Sequence, residues 1–419
     1  MPSAQPVLSV ASAAEQIRAS CCQPTSSERI GLEIEMLPVG ADGVTARHDV
    51  VSGLLDGLGP LPSGTPVSFE PGGQVELSPS PVVGVESACR SLAADLATVA
   101  GALAGGGVTL VGMGLDPYPG RSRVGRSPRY DAMTEFFDAR GPSGRLMMCR
   151  SAGMQVNLDW GPTAEEAARR WDLAHALGPV LAASFANSPM TDSGPTGWKS
   201  SRLANWWLVD PSRTSPVDDA GRGPESWVDY ALGAQVLLIR RSAERYVPVG
   251  EPLSFAQWIR RGHPLGFPTS DDLDYHLGTL FPPVRPRPWL ELRIADSLPE
   301  PWWQVSVLVS TALLLDPVAA ETVASAAGPT RGLWEQASRE GLREPHLAVA
   351  APVCFEAALD ACPRLGVGPE LTDTVADYAD RFVNQGRCPA DDTLDTWSAT
   401  GAAPAPSSLA AAAPPAPVP

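Results

Sequence analysis

Alternation of apolar and polar residues with period two is the strongest signal along this chain. Ile30, Leu32, Ile34 and Met36 alternate with Gly31, Glu33 and Glu35, which predicts a strand with one apolar and one polar face. Beyond the turn Pro71-Gly72-Gly73, Val75 and Leu77 alternate with Gln74, Glu76 and Ser78, so a strand pair is expected around that turn. Met154, Val156, Leu158 and Trp160 alternate with Gln155, Asn157 and Asp159, and Leu290, Leu292 and Ile294 alternate with Trp289, Glu291 and Arg293. Helices are expected over residues 11–20, over 85–103 (stopped by Gly105-Gly106-Gly107) and over 164–186, behind a Thr163/Glu166 capping box. From the last strand to about Cys388 the chain reads as helical, whereas 187–223 reads as irregular. The Pro/Gly/Arg-rich run 116–129 is either a plain flexible loop or a cover over a site. Strands and helices do not alternate as βαβ units, which favours an α+β fold with a largely antiparallel sheet. The organisation expected is an N-terminal segment 1–27, a single domain over 28–390, and a disordered Ala/Pro-rich tail over 401–419 whose composition cannot bury a core.

Charge narrows the class of partner. The 419 residues carry 31 Lys+Arg against 47 Asp+Glu, a formal net charge of −16. Such an average field repels phosphate backbones and anionic lipid, so no nucleic-acid or membrane partner is expected. Lys199 is the one lysine, so an anionic ligand has to be met by arginine. Residues 1–10 lack the basic and apolar regions of a secretory signal, and no window approaches ~20 apolar residues, so a cytoplasmic protein is expected. Seven irregularly spaced cysteines, odd in number, suit reduced thiols in that compartment and show no zinc spacing. No G-x-x-x-x-G-K-[ST] loop, complete G-x-G-x-x-G turn or H-E-x-x-H pair occurs.

The polar faces of the strands hold the remaining chemistry. Two glutamates at i and i+2 point the same way, about 7 Å apart along the strand. Glu33 and Glu35 therefore repel each other unless a cation or an arginine lies between them. With Glu76 and Glu291 they offer the hard oxygen donors that Mg²⁺ takes, although a bare E-x-E is equally the pattern of a solvated strand face. Arg293 shares the polar face of Glu291, where it suits either a carboxylate or phosphate substrate or an internal ion pair.

Taken in order, several segments resemble glutamate–cysteine ligases of the plant and bacterial branch. They are Arg29-Ile30-Gly31-Leu32-Glu33-Ile34-Glu35-Met36, Phe69-Glu70-Pro71-Gly72-Gly73-Gln74-Val75-Glu76-Leu77-Ser78, Pro128-Arg129-Tyr130, Met147-Met148, Met154-Gln155-Val156-Asn157-Leu158-Asp159, Phe185-Ala186-Asn187-Ser188-Pro189, Val228-Asp229-Tyr230-Ala231-Leu232 and Trp289-Leu290-Glu291-Leu292-Arg293-Ile294-Ala295-Asp296. The resemblance spans roughly residues 28–300 and is greatest to the actinobacterial enzymes that supply ergothioneine synthesis. It implies a glutamine-synthetase-like catalytic fold, a curved antiparallel sheet forming a funnel with helices outside. It also implies ATP-dependent joining of the L-glutamate γ-carboxylate to the L-cysteine amine through γ-glutamyl phosphate. A same-fold ligase with another amine acceptor and a non-catalytic relative are the alternatives. By the same resemblance Glu33, Glu35, Glu76 and Glu291 hold Mg²⁺, with Glu33, Glu35, Glu76 and Arg293 catalytic. Arg293, Arg202, Arg213, Arg129, Tyr130, Gln155 and Asn157 contact substrates. Gln155 stands where a more distant bacterial branch has a metal-binding histidine, and its carbonyl oxygen is the donor on offer there.

Overall fold

The computed structural model describes residues 8–217, 222–223 and 225–410. Its centre is an eight-stranded sheet: β1 (Arg29–Gly40), β2 (Ser68–Phe69), β3 (Val75–Leu77), β4 (Val82–Val83), β5 (Val108–Val111), β6 (Gly153–Leu158), β7 (Val284–Pro286) and β8 (Leu290–Asp296). The order is β7-β8-β6-β1-β3-β2, with β4 and β5 pairing opposite ends of the long β1, and every pairing in the sheet is antiparallel. That is the α+β arrangement the alternation predicts.

The apolar residues of each strand explain the packing. Ile30, Leu32, Ile34 and Met36 are buried, with Met154, Val156 and Leu158 beside them, in one core shared with helices Val85–Ala104, Ala164–Ser184 and Trp302–Leu315. Burying each such side chain contributes about 2 kcal/mol, and this one-sided burial fixes the register, because a slip of one residue would carry the glutamates into the core. Among the described residues no single helix is long and apolar enough to cross a membrane.

Both ends of the domain differ from expectation. Helix Val10–Ser20 in the N-terminal segment belongs to the main core through Ala13 and Ile17, and Gln16 donates to Asp274 at 2.7 Å. At the other end the fold does not stop at 390. Helix Pro389–Thr400 follows, and Asp391 forms a buried 2.6 Å ion pair with Lys199. Residues 401–410 are not a disordered tail: Tyr118 donates to the Pro404 carbonyl, Leu409 is buried beside Val111, and Ala410 bridges Val111. Residues 411–419 of the expected tail lie outside the described residues.

Candidate active site

The polar face of the sheet floors a cavity of about 200 Å³ lined by Glu33, Glu35, Glu70, Gln155, Arg129 and Arg293, among others. Register explains the convergence. Glu35 stands directly opposite Glu76 on β3, and Glu33 opposite Gln155 on β6, so neighbours across strands become neighbours in space. The carboxylates of Glu33, Glu35 and Glu76 can each place an oxygen within 4.8 Å of the others. Arg293 enters from β8, where the ladder is irregular between Leu292 and Ala295.

The hydrogen bonds fix which way each group points. Gln155 donates its amide to Glu33, and its carbonyl oxygen accepts from Arg293 Nη1 at 2.6 Å. The oxygen expected to face a metal is therefore engaged by Arg293. Glu35 accepts from the Gly153 N–H at 2.8 Å, and Glu76 from Ser68 at 2.9 Å.

Other expected residues divide into those at the cavity and those elsewhere. Arg129 and Tyr130 line it from the first turn of helix Pro128–Asp138, where Ser127 caps the Tyr130 N–H and Pro128 presets the first turn. Arg202 lines it from helix Ser201–Val209, a helix inside the stretch expected to be irregular, and Trp206 follows one turn later. The Arg202 guanidinium is committed to Asp296 at 2.7 Å and the Ile294 carbonyl at 2.7 Å, so it braces the end of β8. Arg213 is not at the site. It is fully buried, paired with Asp210 at 2.8 Å and bonded to the Thr279 and Gln235 carbonyls, which makes it a structural cation. Asn157 lies farther along the same face, between Gly31 and Glu291. Glu291 stands apart from the three-carboxylate cluster, held by Arg285 at 3.1 Å and Arg293 at 3.5 Å.

Glu70 is the site residue that strand periodicity missed. It begins the turn that Pro71-Gly72-Gly73 closes, with the Gly73 N–H donating to its carbonyl at 2.8 Å, and it lines the cavity against Glu76. A glutamate immediately before Pro-Gly-Gly, on a turn that feeds a carboxylate-bearing strand, was the available signal. The run 116–129 is tied to the fold along its length, and its last residue, Arg129, lines the cavity. Arg121 is buried on Asp116 and bonds the Pro38 and Gly72 carbonyls, while the Val124 and Gly125 N–H groups donate to the Pro71 carbonyl. The loop buttresses the turn.

Residues 29–408 match glutamate–cysteine ligase family 2. The chain belongs to that family. It is similar to the glutamate–cysteine ligase EgtA of Mycolicibacterium smegmatis, 42% identical over 406 residues that cover 95% of this chain and 94% of the relative. EgtA of Mycobacterium tuberculosis is 40% identical over 93% and 91%. The chloroplastic glutamate–cysteine ligase of Arabidopsis thaliana is 30% identical over 78% and 66%. The fold is shared with a glutamate–cysteine ligase from Francisella tularensis solved with AMP, at a TM-score of 0.51, 13% identity, and coverage of 90% and 86%. It is shared also with a bifunctional glutathione synthetase from Pasteurella multocida, at 0.52, 14%, 92% and 51%.

In this family 2 ligase the electrostatics fit a hard divalent cation. Burial first, then Glu76 and Glu35, push Glu33 up to about 8 against the pull of Arg293. Burial and Glu76 push Glu35 up to about 7. Burial and Glu35 raise Glu70 well above the carboxylate range, and its bond to Glu76 adds to this. Burial opposes the charge of Glu291 too, but Arg285, Arg293 and Arg287 outweigh it and hold that carboxyl below its ordinary value. Acids crowded until they retain protons are what a bound cation relieves.

The sign of the pH dependence follows. Carboxyls raised in the folded state bind more protons there than when unfolded, so their contribution is full near pH 4 and is lost as pH rises toward 8. The metal-free protein is expected to lose stability between pH 5 and 8, and a divalent cation to restore it, with affinity rising about tenfold per pH unit for each proton displaced. Thermal melts with EDTA or Mg²⁺ at pH 5.5 and 8 check this: the gap between the two should widen with pH, and a constant gap would refute the cation assignment.

Proposed function

We propose that this ligase joins the γ-carboxylate of L-glutamate to the amine of L-cysteine with conversion of ATP to ADP and phosphate, supplying γ-glutamylcysteine for ergothioneine-type thiol synthesis. The observation that carries the reading is the convergence of Glu33, Glu35 and Glu76, with Glu33, Glu35 and Arg293 lining one cavity. Mg²⁺ bound there supplies charge neutralisation for phosphoryl transfer. Glu33, Glu35 and Glu76 hold it, with Glu70 the fourth carboxylate at hand. Glu291 joins them only by exchanging its arginine partners.

A carboxylate is a poor electrophile until it is phosphorylated, after which an amine can displace phosphate. The protein then needs no nucleophile of its own, only positioning and charge. Arg293, oriented by Gln155 and Glu291, binds the glutamate substrate. Arg129 and Tyr130 line the same cavity, and among the described residues the buried Arg129 Nε has no hydrogen-bond partner, a donor left for a ligand. Met133, Met147, Met148, Trp206 and Phe281 make the remaining wall apolar, which keeps water from the acyl phosphate.

Phosphate release measured with ATP, glutamate and a panel of amines tests the reading. Release is expected to require both glutamate and an amine, with cysteine preferred. Equal rates across the panel would remove the cysteine specificity, and release without any amine would indicate hydrolysis instead.

A further inference from the structure

Lys199 is the one lysine of the chain, and it is not among the residues lining the cavity. It is buried nonetheless, 5% exposed, with its ammonium 2.6 Å from Asp391 in the first turn of helix Pro389–Thr400. Asp391 also accepts from the Cys388 N–H at 3.1 Å and from the exposed Arg343 at 3.1 Å. The way in is narrow. A Cβ on Gly341 would lie 3.2 Å from Lys199 Cγ and 3.5 Å from Cys388 Sγ. Such a passage suits an unbranched stem with a compact charge at its end better than a guanidinium fork.

A buried ion pair is a poor source of stability, because desolvation offsets much of the attraction, and its best-attested use is to fix one arrangement of the chain. The backbone around Lys199 shows which arrangement that is. The N–H groups of Lys199 and Ser200 both donate to the Ser338 carbonyl at 2.9 Å, and the Lys199 carbonyl accepts from the Ser188 N–H at 3.0 Å. Helix Pro389–Thr400 also holds the neighbouring segment, its Ala390 N–H donating to the Ala186 carbonyl at 3.0 Å. Ser200 then caps helix Ser201–Val209, accepting from the Leu203 N–H at 3.2 Å and donating to Asp296 at 2.9 Å. Two residues on, Arg202 bonds Asp296 and the Ile294 carbonyl and reaches the Arg293 carbonyl at 3.4 Å. An unbroken path of contacts therefore runs from Asp391 to the backbone of Arg293.

We propose that Lys199 is a positioning residue: its pairing with Asp391 fixes the start of helix Ser201–Val209 and, through Arg202, the backbone that presents Arg293 to glutamate. The inference rests on the ligase reading above, in which Arg293 binds that substrate. It makes helix Pro389–Thr400 part of the catalytic scaffold.

Steady-state kinetics of the full chain, with glutamate and ATP varied separately, test this. Lys199→Met keeps the stem and removes the charge. It should raise KM for glutamate about tenfold, a fraction of the hundredfold that a misplacement of about 1 Å can cost, and leave KM for ATP within about twofold of wild type. Asp391→Asn, a gentler change that keeps the shape of the acceptor, should move the same constant in the same direction by a smaller factor. Arg343→Met should change neither KM, because Arg343 meets Asp391 from the exposed side. Arg202→Lys cannot fork onto the Ile294 and Arg293 carbonyls, so it should raise the same KM, and Lys199→Met added to it should have little further effect. A purely structural anchor would instead lower kcat with the folded fraction and leave both KM values unchanged. That result in Lys199→Met and Asp391→Asn, an equal rise in both KM values, or full additivity with Arg202→Lys would overturn the positioning role while leaving the ligase reading intact. A wild-type protein that releases no phosphate with ATP, glutamate and cysteine would overturn the ligase reading, and the positioning role with it.

Discussion

Glu35→Gln is expected to lower turnover by at least about a thousandfold, the scale on which charge stabilisation at a reacting phosphoryl group operates, while making the metal-free protein more stable. The two effects have one origin. Glu35 is pushed up to about 7 by burial and by Glu76, so above that pH the fold holds a carboxylate it would rather protonate. Glutamine has the same shape, and its carbonyl oxygen can still accept the Gly153 N–H. It removes the charge and with it the repulsion. In EDTA at pH 8 the variant should melt several degrees above wild type, and Mg²⁺ should add little to it. A merely structural Glu35 predicts the reverse: a lower melting temperature and partial activity. A solvated strand face predicts no change in either measurement.

What could be read from the sequence follows the range of each interaction. Glu33, Glu35 and Arg293 were legible because alternation within a strand is local, and because a one-sided core leaves each strand a single register. Glu70 escaped because a turn has no period. The surroundings of Glu291 were hidden for another reason. Its partner Arg285 sits across a hairpin whose first strand is crowded by Pro282, Pro283, Pro286 and Pro288, and that run does not read as β. Without Arg285, Glu291 looks like one more ligand; with it, Glu291 is first a counter-ion. Arg213 shows the converse. Asp210, three residues earlier, caps the short helix Pro211–Thr214 and takes the arginine back into it, a local signal that the resemblance to related enzymes overrode. The tail was misread because composition reports what a segment can bury alone, whereas Leu409 is buried beside Val111 in a cluster the domain already has.

The turn that carries Glu70 supplies the second large effect, at a residue with no functional group. Gly72→Ala should reduce kcat/KM by more than about a hundredfold, the cost of misplacing a reacting group by an ångström. A Cβ on Gly72 would lie 2.0 Å from the Cys149 carbonyl oxygen, where real contacts stay beyond 3.0 Å, so the backbones must part by about an ångström. Neither side yields easily. Cys149 lies in helix Ser143–Arg150, whose Met147 and Met148 line the cavity, and the Gly72 carbonyl accepts from the buried Arg121. Gln74, just beyond, donates to the Ser151 carbonyl at 2.7 Å, so both ends of the contact are pinned. Displacement therefore passes to Glu70 on one side and the methionine wall on the other. Gly64→Ala is the control, because Gly64 has a φ of +78° but open space around its Cβ. It should cost some stability through backbone strain and leave kcat/KM near wild type. If Gly72→Ala behaved like Gly64→Ala, the close approach of the turn to helix Ser143–Arg150 would have no part in shaping the site.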